Sequence, residues 1–333
     1  MNVDGTEGAL LVGAGNIGAL YDIDIEADAE PLTHLAALTR CPRVGWVDVV
    51  ETNPEIIHQL TKNQKVRRYF RSLEQLASDP SDYKVACVAT PTDTHFSVLQ
   101  KLNELPINIE HVLCEKPLFS ISTEFQSQVS AIRQMKFPIT VNYPRTWSKD
   151  NTDLMNLAKE LGLGAYTSGV ASYGKGLKNN GSHMINLLLN LFGGPVVVTS
   201  VGRNYINDLS QDPTISFGLL LNGHEIAVVA TSSTSFSLFE IDLRFEAGRI
   251  ILKDGGRTVE WHTPVNDPDY PNYKLLGQQA SKSTDLGGSM KRAINDVIAN
   301  AHTTNLEQAI TTAETYFKIE EEFFRVRRTK AYV

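Results

Sequence analysis

The feature that most constrains this chain is a glycine pattern, Gly13-Ala14-Gly15-Asn16-Ile17-Gly18, set directly after the apolar run Ala9 to Val12. A short apolar run ended by glycines reads as a buried strand that turns sharply into a helix. In such a turn the first glycine permits the tight bend. The second lets backbone approach a pyrophosphate, and the third lets the helix pack on the strand. Free N–H groups at the helix start face the anion. A glycine-rich turn without a ligand has the same pattern, so the following elements decide.

A second apolar run, Val44 to Val50, ends at Glu51, and Asn53-Pro54 opens a helix. A carboxylate at that strand end accepts hydrogen bonds from ribose hydroxyls and repels a 2'-phosphate, which favours NAD over NADP. The alternative is a solvated strand-end acid. Asp48 lies inside the strand. Glu51 is 33 residues beyond Gly18, whereas about 20 from the motif is usual. The segment Tyr21 to Pro31 accounts for the excess, interrupting a helix whose pattern resumes at Thr33-His34-Leu35. Its alternating acids resemble a calcium loop, but Ala27 stands where an EF-hand needs glycine, so no metal is expected. It reads as a solvated loop near the cofactor mouth.

Two more strands follow. Val85 to Val88 runs into Ala89-Thr90-Pro91-Thr92-Asp93-Thr94-His95, and Ile109 to Leu113 runs into Cys114-Glu115-Lys116-Pro117. Strands alternating with helices predict a parallel sheet with its ligand outside the carboxyl ends of the strands. Gly13, Glu51, Thr90 and Lys116 all fall at such ends.

From about Phe119 the rhythm changes. Strand patterns cover Tyr166 to Tyr173, Val196 to Arg203, Ile215 to Leu221, Glu225 to Ser232, Phe236 to Phe245, Arg249 to Leu252 and Thr258 to His262. Asn222-Gly223 between apolar runs predicts a two-residue hairpin. Helices are expected around His183 to Leu191, Met290 to Ala301 and Leu306 to Arg325, with Glu320 to Glu322 a solvated face. The fold class is therefore α/β, with an N-terminal Rossmann parallel sheet (residues 1–118) and a C-terminal α+β domain (119–333). The second domain carries a large, mostly antiparallel, open-faced sheet for substrate binding and oligomerisation. Alternation in Phe239 to Phe245 gives one apolar and one polar face, which suggests a homodimer or homotetramer.

With 31 Lys and Arg against 38 Asp and Glu, the net charge is -7. No basic field exists for nucleic acid. No run is apolar enough to span a membrane, and no signal peptide is evident. Cys41, Cys87 and Cys114 form neither a disulfide framework nor a zinc pattern. A cytoplasmic protein is expected.

Taken together, Gly13 to Gly18, the TPxxxH run Thr90 to His95, Glu115-Lys116-Pro117 and Asn179-Asn180-Gly181-Ser182-His183 resemble the glucose-fructose oxidoreductase and myo-inositol dehydrogenase (Gfo/Idh/MocA) family. The resemblance spans the first 190 residues or so. It implies an NAD- or NADP-dependent oxidoreductase acting on CH-OH groups of sugars, cyclitols or sugar nucleotides. Lys116 would sit between nicotinamide and the reacting carbon, Glu115 would line the nicotinamide pocket, and Pro117 would be cis. Gly13, Gly15, Asn16, Ile17, Gly18, Glu51, Thr90, Pro91, Thr92 and His95 would bind the cofactor.

Oxidation of a secondary alcohol needs a base near neutral pH, and His183 is the candidate. Lys116 would stabilise the alkoxide. Four residues before His183, where the family commonly carries aspartate, this chain has Asn179, and an amide takes no proton. Lys175, Tyr173 and Tyr143 are candidate helpers, while Arg145, Lys175 and Asn180 could bind a carboxylate, a phosphate or hydroxyls. Asn186 reads as structural, and His34, His58, His111, His224, His262 and His302 belong to no recognisable constellation. The Asn179 departure leaves an alternative: a non-catalytic, dinucleotide-dependent sensor or regulator of the same fold.

Overall fold

The computed structural model describes residues 5–23, 29–61, 65–206, 212–231, 236–299 and 304–330. The chain forms two compact units. One comprises Met1–Pro144 with Gly287–Ile310, and the other Arg145–Leu286 with Thr311–Val333.

The first unit is built on six parallel strands: β1 (Glu7–Val12), β2 (Val44–Val50), β3 (Val66–Phe70), β4 (Val85–Val88), β5 (Val112–Glu115) and β6 (Ile139–Asn142). Their order is β3-β2-β1-β4-β5-β6, so the chain switches direction across the sheet between β1 and β4, where ligands of such folds bind. Ala9, Leu10 and Leu11 are fully buried, as expected of a strand covered on both faces. The crossover helices are α1 (His34–Arg40), α2 (Pro54–Leu60), α3 (Leu73–Ser78), α4 (His95–Glu104) and α5 (Phe125–Ile132). Side chains of Thr33, Asn53 and Ser72 cap the first three by accepting backbone N–H groups, which satisfies donors that a helix start leaves unpaired.

Two differences from the sequence reading have physical causes. The first unit runs to Pro144 instead of ending at Leu118, because β6 pairs with β5 from Val112 opposite Ile139 to Glu115 opposite Asn142. It also takes in the helix Ser289–Ala299, which packs on α1. The strand β3 was not expected, since Arg67 and Arg68 interrupt its apolar pattern. Both guanidiniums pair with the buried carboxylate of Asp48 on the neighbouring strand (Arg67 Nη2 to Oδ2 2.6 Å), and Arg68 pairs with Asp79 as well. Finally, Asp24 to Asp28 of the acidic insertion, Ala27 included, lie outside the described residues, as do Ser232, Ala301 and His302.

The second unit is built on β7 (Tyr166–Tyr173), β8 (Val196–Ile206), β9 (Thr214–Leu221), β10 (His224–Ala230), β11 (Phe239–Phe245), β12 (Gly248–Lys253), β13 (Thr258–Asn266) and β14 (Lys274–Ser283). Their order is β14-β13-β12-β11-β7-β10-β9-β8. All neighbours are antiparallel except β7 and β10. Asn222 and Gly223 both adopt positive φ (48° and 84°), which makes the turn between β9 and β10 the tight hairpin expected of that dipeptide. Along β11, Phe239, Ile241, Leu243 and Phe245 are buried while Glu240, Asp242 and Arg244 are partly exposed. β14 escaped the sequence reading because its Leu275 and Leu276 are exposed and its remaining positions are mostly polar. Helices α6 (Lys149–Thr152), α7 (Leu154–Glu160) and α8 (Ser182–Phe192) belong to this unit, as does the helix Leu306–Lys330 from Thr311 onward, and α8 packs on β9. Among the described residues no helix is long and apolar enough to cross a membrane.

Candidate functional site

In the first unit, the carboxyl ends of β1, β2 and β4 enclose a cavity of about 850 Å³. Gly13, Gly15, Asn16 and Ile17 line it from the turn after β1, Glu51 from the end of β2, and Thr90 and Pro91 from the end of β4. The three glycines answer to different constraints. Gly13 has φ of 88°, and a Cβ there would sit 2.8 Å from the Thr90 side chain. A Cβ on Gly18 would lie 2.3 Å from the Gly13 carbonyl oxygen. A Cβ on Gly15 would meet nothing within 4 Å. No protein packing explains that glycine, and open backbone at this point is what a pyrophosphate needs. The residues present fit a dinucleotide.

Glu51 is buried and fixed. One oxygen accepts the Ala14 N–H (2.7 Å) and the other the Asn53 N–H (2.8 Å), so the carboxylate ties the glycine turn to the end of β2 while still lining the cavity. The acidic insertion closes in a comparable way. Asp22 accepts the backbone N–H groups of Leu32 and Thr33 (3.0 and 2.6 Å) and the Thr33 hydroxyl, which returns the chain to α1. Tyr21, 56% exposed, lines the cavity at the insertion's start.

The expected residues Gly18, Thr92, His95, Glu115 and Lys116 lie outside that lining. His95 is buried at the start of α4, with Nδ1 3.1 Å from the Pro117 carbonyl oxygen and Nε2 2.8 Å from that of Thr90. It braces the Thr90 turn against the Pro117 turn. Burial lowers its pKa against the pull of both carbonyls, and a neutral ring donates to only one of them at a time. The Lys116–Pro117 peptide is cis, as the resemblance implies.

Behind that turn lies a group missed in the sequence. Glu115, the last residue of β5, is buried, and its Oε1 receives Asn142 Nδ2 (2.7 Å) and faces His34 Nε2 (2.8 Å). His34 is fully enclosed. Burial alone would lower its pKa, but neighbouring Cys87 and the Glu115 carboxylate raise it to about 10. Burial works against ionised Glu115, and His34 and Asn142 outweigh it, so its pKa is lowered. Each group thus favours the charged form of the other. The insertion hid His34 by separating it from the glycine motif; the Thr33 helix cap immediately before it was the available signal.

In the second unit, a single π-helical turn, Gly176–Gly181, leads into α8, and such turns are frequent at functional sites. His183 lies in the first turn of α8 and is buried. Lys175 sits at φ 65°, ψ 47°, a left-handed conformation. Asn179 is exposed, and its side chain donates to the Lys175 carbonyl (3.0 Å). Asp212 was not singled out in the sequence. It accepts the N–H groups of Lys178 and Asn179 (2.8 Å each), so it anchors the turn that leads to His183. Burial raises its pKa despite those bonds.

Other expected residues serve packing. Tyr173 is fully buried, its hydroxyl donating to the Ile215 carbonyl (2.7 Å) and accepting the Ile215 N–H (3.0 Å). That removes it as a helper base, and burial pushes its pKa up. Tyr143 is also enclosed, within the first unit. Asn180 donates to the carbonyls of Gly174 and Leu238 (3.0 and 3.3 Å). Arg145 stands apart. Its Nε donates to the Gly255 carbonyl (3.0 Å), its guanidinium lies 3.7 Å over Phe239, and burial together with Arg257 lowers its pKa to about 10. No carboxylate among the described residues pairs with it.

The family model of an oxidoreductase family with an NAD-binding Rossmann fold (GFO_IDH_MocA) matches residues 8–143. That match covers the six-stranded parallel sheet of the first unit. No curated protein matches the sequence. Three solved structures resemble nearly the whole chain. A 3-ketoreductase variant from Actinomadura kijaniata, in complex with TDP-benzene and NADP, superposes with a TM-score of 0.71 at 13% identity over 95% of this chain and 97% of its own. An oxidoreductase from Agrobacterium radiobacter, in complex with NAD+, L-tartaric acid and magnesium, gives 0.67 at 14% over 95% and 96%. A UDP-N-acetylglucosamine 3-dehydrogenase from Acidithiobacillus ferrooxidans gives 0.65 at 13% over 94% and 96%. At such identities the likeness shows the fold alone.

Proposed function

We propose that this Gfo/Idh/MocA oxidoreductase is an NAD-dependent dehydrogenase moving a hydride between nicotinamide and a secondary hydroxyl or carbonyl of a sugar, cyclitol or sugar nucleotide. The observation that carries the cofactor assignment is the cavity in which Gly15 presents open backbone and Glu51 presents a fixed carboxylate. That carboxylate would meet a ribose 2'-hydroxyl with hydrogen bonds and a 2'-phosphate with repulsion. Gly13 to Gly18 would hold the pyrophosphate, with Thr90, Pro91 and Thr92 along its path. When bound, the nicotinamide supplies the hydride acceptor.

The chain's own groups supply the rest. Lys116 would hold the substrate oxygen and offset the charge that grows on it. His183 would take the hydroxyl proton as the C–H electron pair leaves with its hydrogen, so one hydride and one proton depart and a carbonyl remains. Lys175, left-handed at the entrance to the π-helical turn, would assist in binding. Arg145, a cation with no acidic partner among the described residues, favours a substrate with an anionic group, such as a uronic acid or a nucleotide sugar.

One observation supports the sensor alternative: Asn179 supplies no negative charge ahead of His183, and its amide is already bonded to Lys175. Absorbance at 340 nm with NAD and a panel of inositols, hexoses, uronic acids and UDP-sugars separates the two readings. Turnover with one class establishes the dehydrogenase and names the class. Tight NADH binding without turnover across the panel establishes the sensor. We further propose a homodimer or homotetramer, for which light scattering should return a multiple of 36.8 kDa; a monomer mass would contradict it.

A further inference from the structure

Resting on the role given to Lys116 above, we propose that His34 is a positioning residue for the reaction, fixing the Glu115 carboxylate and through it the adjacent Lys116. His34 is attached at two places. Its backbone N–H donates to the Ile17 carbonyl (3.1 Å), and the next residue's N–H to that of Gly18 (2.9 Å). Its ring meets Glu115 Oε1 at 2.8 Å. One residue thus connects the glycine turn to the residue that precedes Lys116.

The ring direction is over-determined. Thr33 caps α1 immediately before it, and Asp22 fixes Thr33 through both backbone and hydroxyl. Asn142 closes on the same carboxylate oxygen from β6. The titratable groups around Glu115 are His34, Lys116, Cys87, Cys114 and His95. A buried ion pair is a poor source of stability, because desolvation of both charges offsets their attraction and an apolar pair of similar volume does as well. A histidine held 2.8 Å from this buried carboxylate is better explained by the direction it imposes on Glu115.

The test uses the intact protein and needs no substrate. Trinitrobenzenesulfonate labelling of Lys116, read by mass spectrometry across a pH series, reports the midpoint of its ammonium. Glu115→Gln should lower that midpoint by roughly half a unit or more, since a carboxylate near an ammonium favours its charged form. His34→Ala should lower it in the same direction, because a buried carboxylate deprived of its partner takes up a proton. His34→Gln retains an N–H donor towards Glu115 and should restore the wild-type midpoint. The double variant should equal Glu115→Gln alone, since His34 acts through Glu115. Should the alanine variant not fold, His34→Asn, too short to reach the carboxylate, takes its place. A wild-type midpoint in His34→Ala, or additive shifts in the double variant, would overturn the proposal. Full turnover of Lys116→Ala would instead overturn the role of Lys116 and leave the measured coupling intact.

Discussion

In the first unit, β4, β5 and β6 are buried at every position, whereas in the second β11 and β12 alternate a buried residue with a more exposed one. The contrast extends to function. In the first unit chemistry is placed by backbone: a strand ends, the chain turns, and whatever residue stands there faces the ligand space. Gly13, Glu51 and Thr90 could be located from their position after a strand because strand ends in a parallel sheet converge, whereas Lys116, also just past a strand, lies outside the cavity lining. In the second unit no such rule applies. Candidates chosen by side-chain type divided, with Tyr173 and Asn180 occupied by packing and Arg145 left without an acidic partner among the described residues.

The largest effect that sharpens this comparison is expected at Lys116. Lys116→Ala should reduce turnover by roughly 10²- to 10³-fold while NADH affinity, measured by fluorescence titration, stays within twofold. Equal losses in both would place Lys116 in the cofactor site instead.

Next come two glycines of one motif. Gly18→Ala drives a methyl group into the Gly13 carbonyl and should cost about 1–3 kcal/mol of stability in urea unfolding. Gly15→Ala should leave unfolding unchanged and weaken NADH binding about tenfold. A stability loss at Gly15 would show that the second glycine serves packing.

Tyr173→Phe tests the second unit. It removes the partner of a buried Ile215 N–H and carbonyl and should cost about 1–3 kcal/mol with turnover within twofold. A large fall in turnover at unchanged stability would return Tyr173 to the catalytic set.

A further effect concerns pH. A histidine whose folded pKa is raised from 6.5 to about 10 contributes stability that is complete below pH 6.5 and fades as pH rises through about 10. The gap in thermal midpoint between wild type and His34→Leu should therefore move against wild type across that interval. A gap independent of pH would show that His34 is uncharged in the folded protein.

The sequence made the parallel sheet legible because its strands are short apolar runs closed by glycine or by polar strand-end residues. It hid β3 and β14 because Arg67, Arg68 and the exposed Leu275 and Leu276 carry no burial signature. The boundary expected at Leu118 falls too early, although β6 follows α5 as one more strand-helix repeat. His34 stayed hidden for a different reason: adjacency to Glu115 arises only when the insertion folds away and α1 returns to the glycine turn. Asp212 is likewise brought to Asn179 by the fold alone.

The most direct measurement is calorimetric titration of the protein with NADH and with NADPH under identical conditions. The account predicts binding of NADH at least tenfold tighter, with the preference reduced in Glu51→Gln. Tighter binding of NADPH, or binding of neither, would contradict the role of the glycine turn and Glu51 from which the rest follows.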